Sequence, residues 1–150
     1  MNEIIMDAKT KNLQISKIIP KIEDPELVSM IKEINLTVEK IIKTIETKPE
    51  KYKKSQRFFD YYLPVTIDIL NRYDEIENQK LTTKDSQKFM DNTKKMIDRI
   101  NNAFKKQLSS LYQSDMIDTD AEMKVFDSML KADGYNDDDF DIKQGGKKIE

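Results

Sequence analysis

The second predicted helix, about Pro25–Thr47, has the most regular hydrophobic pattern in the chain. Its apolar residues recur at alternating intervals of 4 and 3 residues, which places them on one face of a helix. The opposite face is charged and includes Lys32, Glu33, Glu39 and Lys43. Three heptads are short for a free coiled coil, so we predict packing within one domain. The buried seam would comprise Leu27, Ile31, Ile34, Val38, Ile41 and Ile45.

The third predicted helix, about Glu50–Lys80, is apolar over a wider arc than the second. Two neighbouring stripes run along it, which indicates contacts with two partners and a central place in the fold. Pro64 removes one backbone hydrogen bond, so the helix is either kinked there or stops and restarts. The stripes continue across Pro64, which favours the kink. They consist of Tyr52, Phe59, Leu63, Thr66, Leu70 and Tyr73, and of Phe58, Tyr62, Val65, Ile69 and Ile76.

A shorter N-terminal helix is predicted over residues 1–19, where apolar residues recur at helical spacing. Pro20 ends this helix, because proline disfavours a helical conformation at the residue before it. Asp24 is a suitable N-cap for the second helix, with Pro25 at its first position. The apolar face of the first helix would comprise Ile4, Ile5, Ala8, Leu13 (or Ile15) and Ile18.

The fourth predicted helix, about Lys84–Ser114, has a stripe that repeats every 11 residues, whereas the second helix repeats every 7. Unequal periods argue against one extended coiled coil and favour a compact bundle. A short fifth helix, about Asp118–Ala132, would start at a Thr119-x-x-Glu122 capping box and end at Gly134. We therefore predict an all-α, up-down antiparallel bundle of three long helices, with a shorter N-terminal helix and a short C-terminal helix.

The predicted domain organisation is one helical bundle domain over residues 1–134, followed by a flexible acidic tail over residues 135–150. The tail is rich in aspartate, glycine and lysine and cannot bury enough apolar surface to order itself.

Composition supports this fold and limits the function. The chain is 36% charged and 37% hydrophobic, with only 3 Gly and 4 Pro, which suits long amphipathic helices. A net charge of −2 argues against nucleic-acid binding, which usually needs a basic domain. No apolar run approaches the length of a membrane span, and the first residues lack the apolar core of a signal peptide. We expect a cytoplasmic protein whose association with membranes, if any, is peripheral.

The sequence offers few residues that could act in catalysis or bind a metal ion. The sequence has no His and no Cys, which removes the usual general base, the thiolate nucleophile and the commonest transition-metal ligands. The aspartates in Asp115–Asp120 and Asp133–Asp141 depart from the spacing of a calcium-binding EF-hand loop, so capping and solvation explain them better. We predict no catalytic residue, no metal and no cofactor, and the sequence argues against an enzyme.

A basic run precedes the aromatic cluster of the third helix and comprises Lys51, Lys53, Lys54 and Arg57. The simplest interpretation is a solvated helix start followed by core aromatic residues. The alternative is a contact surface for a phosphate, an acidic lipid or a partner protein.

The sequence Lys51–Ile76, which includes RFFDYYLPVTIDIL, resembles the central signature of bacterial XpaC-type proteins, the 5-bromo-4-chloroindolyl phosphate hydrolysis family. Met123–Gly134 is similar to the closing helix of that family, so the resemblance covers about residues 25–135. The Phe-x-Tyr-Tyr-Leu-Pro core is its most specific part. The structural signature in this chain is Phe58, Phe59, Tyr62, Leu63 and Pro64.

The resemblance implies two different roles. The family name implies hydrolysis of a phosphomonoester, although no established catalytic motif accompanies it. The family's genomic association with TelA-type toxic-anion (tellurite) resistance proteins, which are long and helical, implies an interaction or stress-accessory module. We favour the second role, with a TelA-like helical protein or a second copy as partner, and with the first helix and the basic run as docking surfaces. Many family members carry N-terminal membrane segments, so this chain would be a soluble member or a domain of a membrane-anchored one.

Overall fold

A computed structural model describes residues 1–135. The part of the predicted tail after Tyr135 lies outside the described residues. The described part contains helices and no strand, which confirms the predicted all-α bundle. The chain divides into two compact units, Met1–Leu111 and a unit that begins at Tyr112. The α-helices are α1 (Asn2–Ile18), α2 (Pro25–Thr47), α3 (Leu63–Asn78) and α4 (Lys84–Leu111) in the first unit, and α5 (Gln113–Ala132) in the second.

The structure of helix α2 confirms the buried face that its hydrophobic pattern predicts. All six predicted seam residues are fully buried. The helix begins where the sequence places it, because an Asp24 carboxylate oxygen accepts hydrogen bonds from the Glu26 N–H at 2.9 Å and the Leu27 N–H at 3.0 Å. These bonds satisfy two amide donors that have no partner within the helix. Pro25 occupies the first turn, where no amide donor is needed.

Helix α1 is part of the bundle and packs against α2 and α3. Asn12 and Asn35 join it to α2, because each amide side chain donates to the other residue's backbone carbonyl, at 3.1 and 3.0 Å. The prediction that the first helix is a docking surface is wrong for its apolar face, which the bundle covers. The buried residues are Ile5, Ala8, Ile15 and Ile18, while Leu13 is exposed.

Helical turns run without a break from Pro49 to Asn78, so the prediction of a helix that continues across Pro64 is confirmed. They are not regular throughout. The first turns, Pro49–Ser55, form a 3-10 helix, and Phe58–Tyr62 form a π-helical turn before α3. The Leu63 N–H donates to the Phe58 carbonyl, five residues earlier. The π turn ends at Tyr62, two residues before Pro64, which cannot donate a backbone hydrogen bond.

The π turn changes which aromatic residues are buried. After Phe58 and Phe59 the next buried residue is Leu63, while Tyr62, predicted on one stripe with Phe58, is exposed. The prediction that Tyr62 lies on a buried stripe is therefore wrong, and Tyr61 and Tyr62 are exposed. Phe58 packs edge-to-face on two rings, with centroids 5.0 Å from Phe59 and 4.9 Å from Phe104. The contact with Phe104 joins the central helix to α4.

The boundary between α4 and α5 differs from the sequence prediction. Helix α4 ends at Leu111 instead of Ser114, and α5 begins at Gln113 instead of Asp118. The Thr119 capping box was misleading because this residue already lies inside a helix. At the other end, Gly134 has a φ of +97°, and the Tyr135 N–H donates to the Leu130 carbonyl at 2.8 Å. This arrangement confirms Gly134 as the C-terminal cap.

Candidate functional site

The apolar side chains of α5 are exposed to solvent. No residue of this helix is buried, although it is 20 residues long. Phe126 is 61% exposed and Met123 is 56% exposed. Large exposed apolar surfaces usually mark a site of interaction with another molecule. The exposed apolar residues of the helix are Met116, Ile117, Met123, Val125, Phe126 and Met129.

A shallow groove lies along the same helix. Phe126 and Met129 line it, together with Met123 and Val125, and Thr119 and Glu122 add polar groups at its edge. Methionine side chains are flexible and polarisable, so they adapt to different apolar partners. We call the surface formed by Met116, Met123, Phe126, Met129 and Leu130 the α5 face.

The predicted basic run lies at the start of the central helix. Lys53, Lys54 and Arg57 are exposed, whereas Lys51 is half-buried and its ammonium group donates to the Leu111 carbonyl. The Lys54 carbonyl accepts a hydrogen bond from the Gln107 side chain at 3.1 Å. The run thus helps to hold the central helix against the end of α4. Contact of these residues with a phosphate, an acidic lipid or a partner stays a prediction.

The remaining signature residues are structural. Phe58, Phe59 and Leu63 are buried, and Pro64 is half-buried. They shape and fill the core of the first unit, and Tyr62 on its surface is the exception.

A cluster of charged groups joins the start of α2 to α4. The Lys94 ammonium group lies 2.8 Å from a Glu26 carboxylate oxygen and 3.0 Å from an Asp24 carboxylate oxygen. Hydrogen bonds to Glu26 and Asp24 raise the pKa of Lys94. Burial alone would raise the pKa of Asp24, but hydrogen bonds from the Leu27 N–H and Lys94 outweigh burial and lower it. Both groups are therefore held in their charged forms, as suits a structural clamp.

Tyr73 and Glu77 extend this cluster into the core. Both side chains are buried, and a Glu77 carboxylate oxygen accepts a hydrogen bond from the Glu23 N–H at 3.0 Å. Burial raises the pKa of Tyr73 to about 12, with further contributions from the charges of Glu77 and Asp24. Glu77 satisfies a backbone donor in the loop before α2, which is a structural role.

We expect the stability of the protein to fall as the pH rises from about 10 to 12. A tyrosine in the unfolded chain ionises near pH 10, whereas Tyr73 keeps its proton until about pH 12 in the folded protein. The folded state therefore binds more protons in this interval and loses stability with rising pH. Urea unfolding at pH 9, 10 and 11 would measure this, and Tyr73→Phe should flatten the dependence. An equally steep dependence in Tyr73→Phe would contradict the assignment to Tyr73.

Residues 1–135 contain no group of three or more acidic side chains placed to hold a metal ion. Within the same residues, no helix combines the length and the hydropathy that crossing a membrane requires.

Comparison with protein-family profiles shows which family the chain belongs to. Residues 1–126 match the sequence profile of a family described as 5-bromo-4-chloroindolyl phosphate hydrolysis protein. The chain belongs to this family. The match includes α1, so the family similarity begins earlier in the chain than the resemblance that the sequence analysis found. The match ends at Phe126, within α5. No curated protein and no solved structure matches this family member.

Two features of this family member were missed in the sequence. Glu77 was not placed in the core, although it continues the spacing of Thr66, Leu70 and Tyr73 by one further step of four residues. The exposure of α5 was also missed. An apolar helix face predicts that the face is buried, but it does not identify the element or the molecule that buries it.

Proposed function

We propose that this protein is a non-catalytic helical interaction module and that the α5 face is its docking surface. The observation that carries the proposal is the exposure of Met123, Phe126 and Met129 on a helix with no buried residue. A helix with an apolar face is the usual unit of helix-to-helix recognition, with anchors spaced three and four residues apart. The folded core of Met1–Leu111 would then serve as the scaffold of the module.

The chemistry of the chain supports binding over catalysis. It has no histidine and no cysteine, and the acid that is buried in residues 1–135, Glu77, accepts a backbone hydrogen bond. The charged cluster around Lys94 is paired within the fold. We propose a cytoplasmic accessory role in toxic-anion or envelope stress resistance, with a TelA-like helical protein as partner by family resemblance.

Site-specific cross-linking tests the docking surface. A photoreactive phenylalanine analogue at position 126 of the full chain, in cells of the native host, should form a covalent product with a single protein. The same analogue at Ser128, on the opposite side of α5, is the matched control and should give none. Met123→Asp, combined with the analogue at position 126, should remove the product. Equal products from both positions, or none from either, would contradict the docking role.

Hydrolysis of a phosphomonoester is a second candidate function, favoured by the description of the family. Purified protein should be incubated with 5-bromo-4-chloroindolyl phosphate in the presence of Mg²⁺, Mn²⁺ or Zn²⁺. We expect no turnover above that of a preparation from cells without the gene. Turnover that co-purifies with the protein and is unchanged by Phe126→Asp would replace the interaction role with an enzymatic one.

A further inference from the structure

We infer that the segment which docks on the α5 face is an amphipathic helix with lysine or arginine residues on both sides of its apolar seam. This inference rests on the proposed docking role of α5 and adds the chemistry of the partner. Two features of α5 carry it, namely the spacing of its apolar residues and the charges beside them.

Four apolar residues of α5 follow a coiled-coil seam, whereas Ile117, Val125 and Met129 lie outside it. The spacing within the seam alternates between 3 and 4 residues over five positions, of which four are apolar. Such a seam accepts knobs from a second helix along its whole length, whereas a scattered apolar patch would not. The five positions are Met116, Thr119, Met123, Phe126 and Leu130.

Four of the five positions that flank this seam are acidic, and the fifth is Met129. Helix α5 has five acidic residues and two lysines, and both lysines, Lys124 and Lys131, lie outside the flanking positions. Residues at flanking positions form the salt bridges that select a partner helix and its orientation. A partner with basic flanks is therefore matched in charge on both sides of the seam. The acidic flanking residues are Asp115, Asp120, Glu122 and Asp127.

The charges of α5 count against other occupants. A second copy would place acidic flanks against acidic flanks in either orientation, which destabilises a helix pair. An anionic membrane surface would repel the same residues.

Three of the flanking acids, Asp120, Glu122 and Asp127, are available to a partner. Asp127 forms an ion pair with Lys131 at 3.1 Å, but both side chains are more than half exposed. Exposed pairs of this kind contribute little and are readily exchanged. Asp120 and Glu122 form no ion pair or hydrogen bond with any residue of the described part.

Two synthetic peptides test the inference with the purified full chain. Both contain about three heptads with leucine at the seam positions, and they differ only in carrying lysine or glutamate at the flanking positions. Fluorescence anisotropy at about 0.1 M salt should show at least tenfold tighter binding of the lysine peptide. The preference should shrink as salt is added, because exposed charges are screened.

Variants of α5 locate the effect. Glu122→Lys combined with Asp127→Lys should reverse the preference in favour of the glutamate peptide. Glu122→Gln should weaken the lysine peptide, whereas Ser128→Lys, the control with the same change in net charge on the opposite side, should leave the preference in place. Phe126→Asp should reduce binding of the lysine peptide at least tenfold.

The outcomes separate this inference from the proposed function. Equal binding of both peptides, or preference for the glutamate peptide, would overturn the basic partner and leave the docking role standing. A dimer that Phe126→Asp dissociates would make a second copy the occupant and would also overturn the inference. If neither peptide binds, the inference fails, and cross-linking at position 126 then decides whether the docking role fails with it.

Discussion

Replacing Phe58 with alanine should lower the free energy of unfolding by about 3–5 kcal/mol. The ring is 1% exposed and packs edge-to-face on Phe59 and Phe104. The substitution removes a large buried apolar area and leaves a cavity where the central helix meets α4, and the neighbouring rings can fill it only in part. Urea unfolding of the wild type and the variant, followed by circular dichroism, measures the change.

Tyr61→Ala is the matched control for this experiment. Tyr61 belongs to the same π turn but is 58% exposed, so its loss should change stability by no more than about 0.5 kcal/mol. Equal losses in Phe58→Ala and Tyr61→Ala would mean that the π turn does not sort the aromatic residues between core and surface as described.

Replacing Ile15 with alanine should cost about 2–5 kcal/mol, which would be a large effect for a residue near the N-terminus. Ile15 is fully buried where α1 packs against α2 and α3. The loss would show that α1 belongs to the folded core and does not form a separate docking arm. The measurement is again the free energy of unfolding in urea.

Leu13→Ala tests the same helix from its solvent side. Leu13 is 54% exposed, so its substitution should change stability by no more than about 0.5 kcal/mol. A larger loss from Leu13→Ala than from Ile15→Ala would place the buried face of α1 on the other side of the helix.

The sequence predicts α2 well because the signals for the start of the helix and the pattern of its buried face agree. The cap at Asp24, the proline at the first position and the even seam all specify the same helix. The apolar seam is also long enough to identify its buried face without knowledge of its neighbours. The family signature was likewise visible in the sequence, since it depends on residue identity and not on packing.

The π turn could not be predicted because it depends on hydrogen-bond geometry that a periodic pattern does not record. The π turn leaves Tyr62 at the surface, whereas Leu63 is buried as its predicted stripe requires. The start of α5 was missed for a related reason. The Thr119-x-x-Glu122 pattern matches a capping box wherever it occurs, and only the backbone shows that the helix has already begun at Gln113.

The candidate site was predicted only in part. The sequence predicts a short last helix, but the exposure of Met123 and Phe126 is seen only in the structure. The basic run was identified from residue type alone, and the structure adds that Lys51 and the Lys54 backbone contribute to packing.

The buried hydrophobic residues of the described part all lie between Ile5 and Leu111, and α5 contributes none of them. Substitutions of apolar residues in α5 therefore leave the buried core between Ile5 and Leu111 unchanged. Under the proposed docking role, substitutions at Met123 or Phe126 would change the affinity for a partner while the first unit keeps its buried core. Related proteins could thus acquire new binding specificities by sequence drift confined to this one helix.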